Sequence, residues 1–339
     1  MRFYDHALET MPPKAIKKLQ IEKLRSMFKK IYGHNRFYTD KFDTAGIDHK
    51  AIQNVDDMAQ IPLTNKEELI KAQQDNPPFG SNATFPESSY SRFHQTSGTT
   101  GKPLRVLDTP ESWTWWGRCW GFVLTGAGLT ENDRLFVPFS FGPFIGFWAA
   151  LEGARIIKTM MIPGGGRDSL ERLHLMKELG VTAICCTPTY ALRLAEVARE
   201  TEFDLNEIPL RIAILSGEPG ANVPATKSRV ESVWNVKSYD HAGASEVGAH
   251  SFECEIQPNG THVNESEFII EVLNPDTLEQ VSEGEQGELI ITNLGRIGFP
   301  VIRYRTGAVS YTHLRAHETR EDRGIPRLGG KKKRGGGGG

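Results

Sequence analysis

The stretch His94-Gln-Thr-Ser-Gly-Thr-Thr-Gly-Lys-Pro-Leu104 gathers four hydroxyl residues, two glycines and one lysine into the eight positions from Thr96 to Pro103. Glycines at 98 and 101 permit positive φ and let backbone N–H groups approach a ligand with no Cβ in the way. Successive N–H groups in such a turn form an anion nest, and Thr96, Ser97, Thr99 and Thr100 add hydroxyl donors around it. Lys102 adds a positive charge. The combination suits a polyphosphate. It is not a Walker A loop, which needs four residues between its glycines and then Gly-Lys-Ser/Thr. Here only Thr99 and Thr100 separate the glycines, and Pro103 follows the lysine. A plain Ser/Thr/Gly surface loop is the bland alternative.

Upstream, Ile16, Leu19, Leu24, Met27, Phe28 and Ile31 recur near helical spacing over residues 13–32, and Gly33 follows as a stop. Thr64-Asn-Lys-Glu67 has capping-box spacing, so a helix is expected from there. Residues 37–57 show no clear period, and the three prolines of 76–89 mark a loop leading into the phosphate stretch. Downstream, short apolar runs alternate with amphipathic segments. Strands are expected at 104–107, 134–140, 155–163, 181–187 and 211–216, with helices at 113–125, 145–152, 169–179, 190–200 and 221–233. Strands apolar throughout and separated by helices indicate an α/β fold, a mostly parallel sheet covered on both faces, whose ligands gather at strand ends. From 267 the pattern turns to β, with strands expected at 268–273, 288–292 and 301–305 in a small barrel-like subdomain.

Two more strings follow strand ends. Ser216-Gly-Glu-Pro-Gly220 is a Gly-rich turn able to lay flat backbone against a purine ring, and Tyr239-Asp-His-Ala-Gly-Ala-Ser-Glu246 ends in a carboxylate. Together with the phosphate stretch they resemble the adenylate-forming (AMP-binding) enzymes, whose loop reads TSGTTGxPK. The variant SGTTGKP, with Leu104 where many relatives have lysine, is similar to the phenylacetate–CoA ligase branch. The resemblance covers about residues 1–307 and implies the large N-terminal domain of that fold. It carries over Thr96 to Lys102 as ATP-phosphate contacts and Gly217, Glu218 and Pro219 as adenine neighbours. Gly243, Ser245 and Glu246 match the YGxTE motif, so Ser245 is expected to touch nucleotide and Glu246 to hold Mg²⁺ through oxygen. Lys102 and Glu246 are then the catalytic pair. Ala242 stands where the motif has tyrosine, leaving Tyr239 or His241 to compensate; for His241 a structural hydrogen bond is the equal alternative.

The same resemblance implies an acyl pocket walled by residues 138–144 and 187–190, with Phe139, Phe141, Tyr190 and Ala242 as its members. Aromatic walls suit an aromatic acid, although these rings serve equally well as core. Cys254 and His262 lie eight apart; in zinc-bearing relatives such a pair is completed by a Cys-x-Cys, and a closed zinc site needs four ligands. The implied function is ATP-dependent conversion of a carboxylic acid to acyl-AMP, then to acyl-CoA. Its partners are ATP, Mg²⁺, coenzyme A and a small acid, with a homodimer admitted. An adenylyltransferase that does not use coenzyme A and a non-catalytic nucleotide-binding module are the alternatives.

The family places aspartate after RYRTG, where this chain has Ala308. Residues 311–319 resemble translated adapter sequence, and 331–339 are Lys331-Lys-Lys-Arg followed by five glycines. The expectation is a chain whose natural sequence ends near Gly307. It would lack the lid domain and its lysine, and turn over little if at all. The expected division is a helical region at 1–90, an α/β core at 91–255, a β-rich part at 256–307 and a foreign tail at 308–339. That tail carries +5 of a net charge of −2, leaving −7 for residues 1–309, which gives no reason to expect nucleic-acid binding. Four cysteines without disulfide spacing, no apolar leader and no run of about 18 apolar residues point to a cytoplasmic protein with no membrane span.

Overall fold

The computed structural model describes residues 2–98, 101–218, 220–256 and 260–311. After the short α1 (His6–Glu9), the helix expected at 13–32 forms as α2 (Pro13–Ile31), burying Ile16, Leu24, Met27, Phe28 and Ile31 on one face. The aperiodic region contains α3 (Arg36–Thr44), capped by the Asn35 side chain. In α4 (Lys66–Asp75) the capping box is one residue later than the sequence suggested: Asn65 and Glu68 form it. Thr64 is unavailable because its backbone is paired with the chain at 303–305, donating to Arg303 O at 2.9 Å and accepting from Arg305 N at 2.8 Å.

The phosphate stretch is the connection of a two-stranded antiparallel hairpin, β1 (Arg92–Gln95) and β2 (Arg105–Asp108). The very apolar α5 (Pro110–Gly126) follows, started by a Thr109 cap and a proline at its first turn. Then come β3 (Arg134–Val137), α6 (Gly146–Ile156), β4 (Met160–Pro163), α7 (Ser169–Glu178), β5 (Ala183–Cys186), α8 (Pro188–Glu200), β6 (Ile212–Leu215) and α9 (Pro224–Trp234). The strand expected to start at 155 begins only at 160, because α6 continues to Ile156 on the strength of Ala149, Ala150, Gly153 and Ala154 packed against α5. Gly153 has no room for a Cβ, which would sit 2.5 Å from Trp120 Cβ.

β7 (Lys237–Ala244), β8 (Gly248–Phe252) and β9 (His262–Val263) complete a seven-stranded sheet in the order β4-β3-β5-β6-β7-β8-β9. The pairings from β4 through β7 are parallel, and the last two, β7 with β8 and β8 with β9, are antiparallel. Alternation along the parallel strands sorts side chains to two cores. Leu135, Val137, Cys185 and Ile214 join a core with α5 and α6, whereas Phe136, Ile184, Cys186 and Leu215 join one with α7, α8 and α9. A second sheet, β10 (Phe268–Leu273), β11 (Gln286–Asn293) and β12 (Tyr304–Tyr311), is antiparallel and three-stranded among the described residues. Its Phe268, Val272, Leu289 and Ile291 pack into the α5 core, and Ile269 packs with the N-terminal helices. No helix of the described residues is long and apolar enough to cross a membrane. Most of the segment read as a foreign tail, residues 312–339, lies outside the described residues.

Candidate active site

The loops after β3, β5, β6 and β7 all leave the same edge of the parallel sheet and carry Phe139, Phe141, Tyr190, Gly217, Glu218 and Glu246 between them or at the helix that follows, while Thr96 to Lys102 lie on the β1–β2 connection. At the phosphate turn, Gly98 has φ +67 and Gly101 donates to Gly98 O at 3.0 Å, closing a tight reversal. A Cβ on Gly98 would meet Gly101 O at 2.9 Å and the Pro103 ring at 3.1 Å, whereas one on Gly101 would meet nothing within 4 Å. Thr96 is buried and closes the base: its N–H donates to Leu104 O at 2.9 Å, and its hydroxyl oxygen accepts from Leu104 N at 3.0 Å. Leu104 is fully buried in the α5 core, so the position that carries lysine in many TSGTTGxPK loops is an anchor here. Ser97, Gly101 and Lys102 are exposed; Thr99 and Thr100 lie outside the described residues.

Glu246 sits at the tip of the β7–β8 hairpin, in the turn closed by Val247 N donating to Ala244 O at 3.1 Å. Gly243 is needed beneath it, since a Cβ there would stand 2.9 Å from Gly248 O. Glu246 is 6% exposed, and its carboxylate accepts from the Tyr304 hydroxyl at 2.8 Å and lies 3.4 Å from Lys66 Nζ. Burial first, and then the neighbouring Glu246 charge, pushes the Tyr304 phenol far up, so it stays a donor. Lys66 opens α4, and the Thr64 pairing with 303–305 brings that helix start to the carboxylate.

The hairpin and this carboxylate are tied together twice. Further along α4, the Gln73 amide donates to Arg105 O at 2.7 Å and accepts from Arg105 N at 3.1 Å, beside the phosphate turn. Arg296, fully buried, grips both oxygens of the equally buried Asp108 on β2 at 2.7 and 2.6 Å. Its third nitrogen donates to Ser245 O at 2.6 Å. Pro143 O in turn accepts from Gln95 N at 2.9 Å, placing the loop after β3 against the phosphate turn.

In that loop Phe139 packs on Phe147 with centroids 4.0 Å apart, and Phe141 on Trp148 at 4.7 Å; both belong to the α5 core. Tyr190 is on the other side, packed with the α8 core, and its hydroxyl is taken by Ser169 Oγ at 3.1 Å and by Arg172. The expected pocket members are therefore split between the two faces of the sheet, with Ala242 half-buried on β7. Gly217 has φ +89, as a turn laid close to a neighbour requires. The Glu218 carboxylate is occupied in holding the start of α8, accepting from Thr189 N at 2.7 Å and Thr189 Oγ1 at 2.5 Å. Pro219 lies outside the described residues.

Both candidate replacements for the missing tyrosine are buried. His241 makes the structural bond, its Nδ1 2.8 Å from Ser251 O, with Trp120 against its ring. Cys254 Sγ and His262 Nε2 do meet, at 3.1 Å. No group of three or more His, Cys, Asp or Glu side chains that could hold a metal ion occurs among the described residues, so the zinc expectation gains no third ligand there.

The AMP-binding enzyme family model matches residues 41–295. The chain belongs to the AMP-binding enzyme family. It is 32% identical over 310 residues to a phenylacetate-coenzyme A ligase of Thermus thermophilus, covering 91% of this chain and 68% of that protein. To a phenylacetate-coenzyme A ligase of Escherichia coli it is 30% identical over 327 residues, covering 96% and 73%. An open-conformation crystal structure of 2-hydroxyisobutyryl-CoA ligase in complex with 2-HIB-AMP and CoA superposes with a TM-score of 0.90 at 28% identity, over 97% of this chain and 71% of that one.

Within this AMP-binding fold, sequence reasoning missed Lys66, Gln73, Asp108, Arg296 and Tyr304 as parts of the site's framework. The capping-box spacing drew attention to 64–67 and RYRTG to 303–307, but neither string says that the two segments pair. Asp108 and Arg296 are 188 positions apart, and nothing local marks either.

Proposed function

We propose that this chain binds ATP at the carboxyl edge of its parallel sheet and activates a carboxylic acid as acyl-AMP, which then passes the acyl group to coenzyme A. In the first step a carboxylate oxygen attacks the α-phosphorus and the bond to the β-phosphate breaks, releasing pyrophosphate. In the second, a thiolate sulfur attacks the acyl carbon and AMP leaves. One observation carries the reading: a buried carboxylate, Glu246, held by Tyr304 and facing Lys66, in a loop strapped to the hairpin of the phosphate turn.

A buried carboxylate that accepts from the Tyr304 hydroxyl and stands 3.4 Å from the Lys66 ammonium fits a hard cation. Magnesium, when bound with ATP, would neutralise phosphate charge beside Glu246. The chain's own part is positional. The glycine turn presents N–H groups and Lys102 to the phosphates in a fixed arrangement, so little reorganisation is needed as charge moves. Phe139 and Phe141 reach the same edge through Pro143 and suit an aryl or arylacetic acid such as phenylacetate, the acid named for the Thermus and Escherichia relatives.

The test is a single-turnover mixture of protein, ATP, Mg²⁺ and phenylacetate, analysed for phenylacetyl-AMP and pyrophosphate, then for the thioester on adding coenzyme A. The same assay reads the expectation of low turnover as a rate. ATP that fails to bind in the presence of Mg²⁺ would end the reading. Adenylate whose consumption ignores coenzyme A would favour the adenylyltransferase.

A further inference from the structure

Glu246 is pinned on both sides by side chains from one distant segment. The Arg296 guanidinium donates to the carbonyl of Ser245, and the Asn293 amide donates to the carbonyl of Val247 at 3.0 Å. Arg296 continues to Asp108, in the strand leaving the phosphate turn, and lies over the Trp116 ring at 5.3 Å. Asn293 is itself held, its side-chain oxygen accepting from Val301 N at 3.2 Å and its N–H donating to Val301 O at 3.1 Å. Next to Arg296, Gly295 leaves no slack: a Cβ there would lie 2.0 Å from Trp115 Cδ1.

We infer that Asn293 and Arg296 are positioning residues that fix the Glu246 carboxylate relative to the phosphate turn, with Asp108 as the anchor of that link. This rests on the reading of Glu246 as the metal-holding carboxylate. The alternative is that the network only stabilises the fold. A fully buried ion pair is a poor stability device, since well-packed apolar residues of similar volume often do as well or better. What apolar residues cannot do is bond a carbonyl on each side of one glutamate and carry that bond to the neighbouring hairpin. A bidentate guanidinium with a spare N–H can, because its donors form a rigid planar fork.

The experiment uses the full chain and calorimetric ATP titrations across a Mg²⁺ series. The double variant Arg296→Met/Asp108→Leu removes both charges and keeps apolar volume. Its urea midpoint is expected near that of the parent. The Mg²⁺ concentration giving half-maximal ATP affinity should rise about 10–100-fold, the scale expected of a misplacement near 1 Å. ATP binding without Mg²⁺ should change by less than about threefold, since the glycine turn is untouched. Arg296→Lys, which keeps a charge for Asp108 but loses the fork, should fall between. If the double variant does not fold, Arg296→Lys and Asn293→Ser carry the same measurement. Folded variants with the parental Mg²⁺ dependence would overturn the inference alone. A parent chain whose ATP binding ignores Mg²⁺ would overturn it together with the proposed function.

Discussion

Lys66 Nζ lies 3.4 Å from Glu246 Oε1, on the first turn of a helix whose other end is bonded to the strand leaving the phosphate turn. A cation therefore already faces the carboxylate assigned to Mg²⁺, and the two substitutions at this pair have opposite signs. Glu246→Gln keeps an oxygen for the Tyr304 hydroxyl, so the fold should survive, while Mg²⁺-dependent ATP affinity drops by about 10–100-fold, on the order of 1.4–2.7 kcal/mol. Lys66→Met removes a charge that repels the metal and should lower the Mg²⁺ needed for half-saturation by a few-fold. Calorimetry at several Mg²⁺ concentrations reads both. A Glu246→Gln chain that binds ATP·Mg²⁺ as the parent does would sink the metal assignment.

The two glycines of the phosphate turn should respond differently to alanine. Gly98 has φ +67 and no room for a methyl group, so Gly98→Ala must distort the turn. Gly101 has φ +150 and open space around it. Left-handed backbone costs a non-glycine residue about 1–2 kcal/mol, and at 98 the close contact adds to it. ATP affinity should fall by at least about tenfold in Gly98→Ala and less in Gly101→Ala, and the thermal midpoint should drop by a few degrees, more in Gly98→Ala. Equal effects at both positions would contradict this geometry.

Acid should destabilise the protein through its buried histidines. Burial lowers His241 to about 4; burial and then the His241 charge lower His250 to about 3. His94 is lowered to about 4 by burial and then by Arg296. Between pH 6.5 and 4 the unfolded chain binds protons that the folded chain refuses, so stability is full above 6.5 and falls through that window. Asp240 works the other way. Burial and the Glu253 charge raise it to about 7, so the folded state takes up its proton first and gains stability as pH falls from 7 to 3.8. Three imidazoles against one carboxyl leave a net loss on the order of a few kcal/mol between pH 6.5 and 5. Urea unfolding at pH 7, 6 and 5 measures it, and Asp240→Asn should steepen the fall. Stability flat over that range is the contrary result.

The glycine turn at 98–101, the parallel strands and their flanking helices were legible because each is a local signal. Glycines need particular backbone angles, and a strand buried on both faces must be apolar at every position, as Ala183 to Cys186 are. The capping box was misplaced by one residue because Thr64 and Asn65 are both good caps, and pairing with 303–305 decides between them. The framework of the site was not legible for a related reason. Lys66, Asp108, Asn293 and Arg296 act through bonds to residues about 45 to 190 positions away, and such pairs leave no period in a sequence. Tyr190 shows the converse: a residue type suited to a pocket wall whose hydroxyl is already engaged by its neighbours.

That engagement makes the acid-binding side testable. The Tyr190 hydroxyl accepts from Arg172 and bonds Ser169 Oγ, and the residue packs with the α8 core, whereas Phe139 and Phe141 belong to the loop that bonds to the hairpin of the phosphate turn. Tyr190→Phe should therefore cost stability, about 1 kcal/mol for a lost hydrogen bond, with acid affinity within about twofold of the parent. Phe139→Ala removes a ring half-buried against Phe147 and should weaken an aromatic acid by about tenfold or more, from lost apolar contact and ring packing. A short aliphatic acid should feel the change less, because it never reached the ring. Competition between phenylacetate and acetate in the single-turnover assay separates the outcomes. Loss of acid affinity in Tyr190→Phe with none in Phe139→Ala would place the acyl pocket on the α8 side of the sheet.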